Sequence, residues 1–140
     1  MKPEDAMFSI TVVDSKSSVR EVARLMRDKN IGSVLVSVGG EIKGIITTRD
    51  MTNRVVATGL DIDKTTAGDI MSTPLITIDA EDDIEKAIEM FNERRIRRIP
   101  VVKKGMVVGI LTQRGLMKKM PYFYLRRKKE RDEAVQGGDW

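Results

Sequence analysis

Thr47 and Asp50 stand three residues apart where an apolar run gives way to a helical pattern. Thr47 ends residues 42–47, which read as a β-strand, and Asp50 lies in the first turn of a helix predicted over residues 48–57. Side chains at this position lie beside the free amides of a helix N-terminus, which is a natural site for anionic groups. A Thr cap followed by Asp is also an ordinary helix start, so the sequence leaves both roles open.

The segment that carries these residues occurs twice, 65 positions apart. The corresponding pairs are Gly44 and Gly109, Thr47 and Thr112, Arg49 and Arg114, and Asp50 and Gly115. The shared Thr fits a cap in both copies, whereas the second copy folds without the carboxylate. This difference favours a ligand-binding role for Asp50 and one strong site per chain.

The side-chain inventory limits the classes of function. The 140 residues include no Cys and no His, which removes thiolate nucleophiles, cysteine-type zinc sites and the most common general base. We therefore expect no enzymatic activity, no catalytic cofactor and no metal site. No run approaches the roughly 20 apolar residues of a membrane span, and no signal peptide is visible, so we expect a cytoplasmic protein without membrane contacts.

Both halves of the chain predict the same order of elements, β-α-β-β-α. The first half has strand patterns at residues 10–13, 33–38 and 42–47, with helices after Ser18 and from Thr48. The second has strand patterns at residues 75–78, 99–102 and 106–111, with a helix stripe at Ile84, Ala87, Ile88 and Phe91. Gly39-Gly40 and Lys104-Gly105 are the predicted hairpin turns.

One domain made of two halves follows from this duplication, each half helping to complete the core of the other. The predicted parts are a first repeat over residues 1–58, a connector over 59–73, a second repeat over 74–120 and a basic tail over 121–140. Asp69-Ile70-Met71 in the connector is similar to Asp5-Ala6-Met7 near the N-terminus. We call these two segments the connector leader and the N-terminal leader.

These motifs resemble the tandem cystathionine β-synthase (CBS) domain pair that is called a Bateman module. The resemblance covers about residues 4–118 and rests on the two leaders, the Ile-Pro-Val-Val segment within residues 96–102 and the Gly-x-x-Thr-x-x-Asp motif that ends at Asp50. It implies a mixed α/β (α+β) fold, in which two β-α-β-β-α repeats are related by pseudo-two-fold symmetry and pack through their sheets. It also implies a homodimer.

The resemblance further implies a regulatory sensor that binds an adenine nucleotide in the cleft between the repeats and acts on a separate protein. AMP is the first expectation, with ADP, ATP and S-adenosylmethionine as alternatives. In this family pattern, Asp50 accepts hydrogen bonds from the ribose, Thr47 holds ribose or phosphate, and Arg97 or Arg98 contacts phosphate. The remaining implied contacts, with the base or beside the phosphate, are Thr11, Val12, Ile31, Gly32, Ser33 and Val34.

Other interpretations of the cations stay open. Arg97 and Arg98 belong to the run over residues 94–98, which could simply be a solvated basic face. Arg49 and Arg114 could bind phosphate or pair with surface carboxylates. Thr112, without a carboxylate beside it, leaves the second cleft either empty or adapted to another ligand.

The C-terminal tail suggests an alternative function. Residues 118–140 hold seven Lys or Arg against four Asp or Glu, and so carry +3 of the net charge of +4. Aromatic residues at 122–124 lie beside this basic run, a combination that can bind nucleic acid through phosphate contacts and stacking. The alternative is therefore a dimeric scaffold that binds nucleic acid through its tail, unless the tail merely packs a terminal helix on the body.

Overall fold

A computed structural model of the chain describes residues 1–119 and residue 131, so the predicted basic tail lies almost entirely outside the described residues. The elements in chain order are α1 (Pro3–Ala6), β1 (Val12–Asp14), α2 (Val19–Lys29), β2 (Ser33–Val38), β3 (Glu41–Thr47), α3 (Thr48–Asp50) followed directly by a π-helix (Met51–Val56), α4 (Ala67–Ile70), β4 (Ile78–Asp79), α5 (Ile84–Arg94), β5 (Arg98–Lys103), β6 (Met106–Thr112) and α6 (Gln113–Lys119). No helix in this part of the chain is both long and apolar enough to cross a membrane.

The strands form two three-stranded sheets with the same topology, which confirms the predicted mixed fold of two β-α-β-β-α repeats. Their orders are β1-β2-β3 and β4-β5-β6, and in each sheet the first pair is parallel and the second antiparallel. Both predicted hairpin turns are present and have positive φ, at 59° and 85° for Gly39 and Gly40 and at 51° and 77° for Lys104 and Gly105. The turns suit glycine because it adopts this backbone region without steric cost.

Three elements differ from their predicted bounds. The predicted strand over 75–78 is reduced to Ile78 and Asp79, because only these two residues pair with β5. The first strand begins at Val12 rather than at residue 10. The helix predicted over 48–57 starts as one α-helical turn and continues as a π-helix, a widening that no residue pattern in this segment signals.

By contacts, the described chain divides into two compact units. The first unit comprises Ser9–Ile76, and the second comprises Met1–Phe8 together with the chain from Thr77 onward. The N-terminal leader, α1, therefore packs in the second unit, although it precedes the strands of the first. The connector leader, α4, in turn packs in the first unit.

Each leader packs into its unit in the same way. Met71 lies against Gly44 of β3, and Met7 lies against Gly109 of β6, so closely that a Cβ atom on either glycine would overlap the methionine side chain. The residue after each methionine forms an antiparallel bridge to the adjacent strand. These bridges join Ser72 to Ile45 and Phe8 to Ile110.

Each unit has its own apolar core. The first core contains Val13, Val19, Val22, Met26, Val34, Val36, Ile46, Val55, Ala67 and Ile70. The second contains Ala6, Ile78, Ala80, Ile84, Ala87, Phe91, Ile99, Val101, Leu111 and Leu116. The leaders contribute Ala67 and Ile70 to the first core and Ala6 to the second, so each unit is completed by a segment from beyond its own β-α-β-β-α run.

Candidate functional site

The candidate residues of the first unit lie at one end of its sheet. They are Thr11, Val12, Ile31, Gly32, Ser33, Val34, Thr47, Arg49 and Asp50. Ser33 at the start of β2 lies opposite Thr47 at the end of β3, and the Leu35 amide donates to the Thr11 carbonyl at 2.8 Å. The beginnings of β1 and β2 and the end of β3 therefore meet at the same end of the sheet, which brings these residues near one another. Their role in binding stays a prediction.

The loop before β2 is tied to the start of α3. The Thr48 amide donates to the Gly32 carbonyl at 3.1 Å, so this carbonyl caps the helix start rather than facing solvent unpaired. Arg49 is exposed, and Val34 is buried within the core. Val12 is 42% exposed, which makes it an apolar side chain available at this edge.

Thr47 and Asp50 form a reciprocal helix cap. Thr47 Oγ1 accepts a hydrogen bond from the Asp50 amide at 3.3 Å, and Asp50 Oδ2 accepts from the Thr47 amide at 2.9 Å and from Thr47 Oγ1 at 3.2 Å. This is a capping box, in which the two side chains satisfy each other's backbone amides. The cap that the sequence left as an alternative is thus present.

The other carboxylate oxygen of Asp50 is engaged as well. Asp50 Oδ1 accepts a hydrogen bond from Ser72 Oγ at 3.1 Å and lies 3.6 Å from Arg54 Nε. Arg54 also donates to the carbonyls of Ile70 and Met71 at 3.2 and 3.1 Å. A carboxylate offers about four lone-pair positions. Among the described residues, hydrogen bonds from Thr47 and Ser72 fill three of them, so a ligand hydroxyl at Oδ1 competes with the Ser72 hydroxyl and the Arg54 guanidinium.

Neither Ser72 nor Arg54 was among the residues singled out from the sequence. Arg54 is four residues after Asp50, where helix neighbours meet, and that spacing could have suggested it. Ser72 follows the Asp-Ile-Met leader, but its approach to Asp50 depends on the Ser72–Ile45 bridge. Sequence spacing alone gives no sign of such a tertiary contact.

The candidate residues of the second unit lie at the equivalent end of the other sheet. Arg98 at the start of β5 lies opposite Thr112 at the end of β6, and the Gln113 amide donates to the Arg97 carbonyl at 2.9 Å. Arg114 follows in the first turn of α6 and is exposed. Three arginines therefore gather at an edge whose counterpart in the first unit has Gly32, Ser33 and Arg49.

Arg98 is a partly buried cation. Burial lowers the pKa of its guanidinium below the ordinary value, and the neighbouring charge of Arg97 lowers it further. Across residues 1–119 and 131, no carboxylate forms an ion pair with Arg97, Arg98 or Arg114. The half-buried guanidinium group of Arg98, without a counter-ion among the described residues, favours an anion at this end of the sheet, because Arg binds phosphate and carboxylate groups through several N–H donors.

The missing carboxylate of the second unit has a packing cause. Thr112 Oγ1 still accepts a hydrogen bond from the Gly115 amide at 2.9 Å, so the threonine side of the capping box is kept and the carboxylate side is lost. A Cβ atom at Gly115 would overlap the ring of Phe8, and Lys119 Nζ lies 4.5 Å from the centre of that ring. From the sequence, the missing carboxylate left the second cleft either empty or adapted to another ligand. In the structure, the Phe8 ring occupies the space of a side chain at position 115.

Metal ligands do not gather in the part of the chain that the structure describes: residues 1–119 and 131 contain no cluster of three or more His, Cys, Asp or Glu side chains suited to a metal ion. The chemistry of the two sheet ends is therefore that of hydrogen-bond acceptors in the first unit and of guanidinium donors in the second.

Known proteins are similar to this chain in sequence and in fold. The CBS domain family matches residues 5–57 and 67–122. An uncharacterized protein of Methanopyrus kandleri is 38% identical over 104 residues, which cover 73% of this chain and 53% of that protein. The chain thus spans about half the length of this relative.

Solved structures of other proteins have a similar fold. An uncharacterized conserved protein from Pyrococcus horikoshii has a TM-score of 0.80 at 29% identity, covering 85% of this chain and 91% of that one. A CBS domain protein from Pyrobaculum aerophilum, solved in complex with AMP, has a TM-score of 0.76 at 26% identity, covering 83% and 90%. Two family matches in tandem, on two sheets of the same topology, establish that this chain belongs to the CBS domain family as a pair of CBS domains.

Proposed function

We propose that this protein is a regulatory module that senses an adenine nucleotide, with AMP as the first candidate and ADP, ATP or S-adenosylmethionine as alternatives. Family membership and the AMP complex of the similar Pyrobaculum aerophilum protein support this class of ligand. In this proposal the protein works as a homodimer on a separate regulated protein and carries out no catalysis itself. Bound nucleotide changes the population of its conformations, and the partner responds to that change.

The observation that carries the proposal is the arginine cluster of the second unit. Arg98 is half-buried and has no ion pair with a carboxylate among the described residues, and Arg97 and Arg114 add charge at the same sheet end. A phosphate group offers charge-assisted acceptors for several guanidinium donors at once. We assign the phosphate of the nucleotide to this cluster, with Arg98 as the principal contact.

Replacing Arg98 by alanine is expected to weaken AMP binding by about 10–100-fold, the range for loss of a hydrogen-bonded charge contact. Binding is measured by calorimetric titration at one salt concentration. Arg94→Ala is the matched control, because Arg94 is an exposed cation of the same basic run at the end of α5. Equal affinities of the Arg98→Ala and wild-type proteins would remove Arg98 from the phosphate site.

We further propose that the ribose hydroxyls bind Asp50 by replacing the hydroxyl of Ser72. The Ser72 hydroxyl donates to Asp50 Oδ1 as a ribose hydroxyl would, so one donor can substitute for the other. Thr47 is already the reciprocal partner of Asp50, and it supports the carboxylate from the opposite side. This exchange fits a side chain that is only 12% exposed but lies next to a replaceable donor.

Ser72→Ala is therefore expected to tighten AMP binding by about 2–10-fold, because the nucleotide no longer competes with an internal hydrogen bond. The gain should vanish with an AMP analogue that lacks both ribose hydroxyls, since that analogue has no donor for Asp50. Affinity for AMP that is unchanged or weaker in the Ser72→Ala protein would contradict the exchange.

A further inference from the structure

Ser72 and Phe8 occupy equivalent places in the two units. Each follows the leader methionine that packs on a strand glycine, and each forms the antiparallel bridge to the residue after that glycine, Ile45 or Ile110. The residues after the two leaders therefore place different side chains at equivalent positions in the two units. In each unit this position lies beside the first helical turn after the last strand, and it holds a hydroxyl in the first unit and a phenyl ring in the second.

Two further positions differ together with this one. In the first unit, Ser72 donates to Asp50, and Arg54 lies beside the same carboxylate. In the second unit, the Phe8 ring lies against Gly115, and the Lys119 ammonium lies over the ring. Lys119 is four residues after Gly115, as Arg54 is four residues after Asp50. The first unit therefore has a polar set, Ser72, Asp50 and Arg54, and the second has an aromatic set, Phe8, Gly115 and Lys119.

The Phe8 ring in its present position leaves no room for the carboxylate of the polar set. A side chain at position 115 would overlap the Phe8 ring, since even a Cβ atom there lies inside contact distance of the ring. Phe8 in turn leaves Lys119 with a ring face that attracts a cation, where Arg54 has a carboxylate. Restoring the carboxylate in the second unit consequently requires a change in the leader, which lies more than a hundred residues away in the sequence.

We propose that Phe8 sets the ligand specificity of the second unit by filling the position that a carboxylate occupies in the first, so that this unit binds the phosphate part of a ligand but has no acceptor for ribose hydroxyls. The ligand named here rests on the function proposed above. The coupling among Phe8, Gly115 and Lys119 rests on packing alone and has its own test.

The test transplants the polar set into the full-length chain. Gly115→Asp alone is expected to lower the melting temperature by more than about 5 °C, because the new side chain and the Phe8 ring cannot both fit. Adding Phe8→Ser and Lys119→Arg should recover most of that loss. Because the arginine cluster holds the phosphate of one AMP at a time, AMP binding is tested in the Asp50→Ala background. There, calorimetric titration should find that the triple variant binds AMP at least about 10-fold more tightly than Asp50→Ala alone.

The outcomes separate the two proposals. A melting temperature that falls equally in Gly115→Asp and in the triple variant would overturn the coupling of the three positions. In the Asp50→Ala background, a stable triple variant with no gain in AMP affinity would overturn the role of Phe8 in specificity. Failure of the wild-type protein and every variant to bind AMP would overturn the proposed function and the ribose specificity with it, while the recovery of melting temperature still decides the coupling.

Discussion

Asp50→Ala is expected to lower the free energy of unfolding by about 2–3 kcal/mol. Loss of a helix cap costs about 1 kcal/mol, and the remainder comes from Ser72 and Arg54, which lose their shared acceptor. The measurement is urea denaturation of the full chain without nucleotide. Because of this loss of stability, AMP binding by the Asp50→Ala and wild-type proteins has to be compared at a temperature at which the variant remains folded.

Asp69→Ala is the matched control for this prediction. Asp69 forms the same capping box with Thr66, with amide bonds of 2.9 and 3.3 Å that equal those between Thr47 and Asp50. Asp69 is exposed and makes no contact equivalent to that of Ser72, so its loss should cost less. If the two variants were equally destabilised, the contacts of Asp50 with the connector leader would contribute nothing to stability.

Gly109→Val should also destabilise the protein strongly, by about 3 kcal/mol, because the new side chain enters the space of Met7 and displaces the N-terminal leader from β6. Its counterpart Gly44→Val should act in the same way on Met71 and the connector leader. Urea denaturation measures both losses. Limited proteolysis should cut the N-terminal leader of the Gly109→Val protein faster than that of the wild-type protein.

Energetic coupling between positions 109 and 7 distinguishes a clash of the new valine with Met7 from a general weakening of the strand. Met7→Ala combined with Gly109→Val should cost at least about 1 kcal/mol less than the sum of the single changes, since the truncated side chain makes room for valine. Met71→Ala lies in the other unit and should combine additively with Gly109→Val. Additive behaviour of the Met7 pair would contradict the close packing of the leader on Gly109.

The sequence predicted those parts of the fold that depend on local patterns. The hairpins were predictable because alternating apolar runs flank Gly39-Gly40 and Lys104-Gly105, and the positive φ of these turns restricts the residues that fit. The Ser18 cap was predictable from its spacing to Glu21, and its oxygen does accept the Glu21 amide at 3.1 Å. The π-helix at Met51–Val56 was not predicted, because a wider helical turn has no residue signature comparable to a cap or a glycine turn.

The sequence predicted only those features of the candidate site that follow from the alignment of the two repeats and from strand pairing. Duplication aligned Thr47 with Thr112 and Asp50 with Gly115, and in the structure the paired ends of β2 and β3 place Ser33 opposite Thr47. The reason for glycine at 115 was hidden, since Phe8 lies in a leader that the repeat boundary assigned to the other half. Asp50 therefore differs from Gly115 for a structural reason as well as for the proposed functional one.

Calorimetric titration of the full-length wild-type protein with AMP tests the central claim most directly. We expect saturable binding with one strong site per chain, together with weaker binding of adenosine, which lacks the phosphate for the arginine cluster. Binding of AMP, ADP and ATP that is undetectable, or binding of adenosine as tight as that of AMP, would contradict the account.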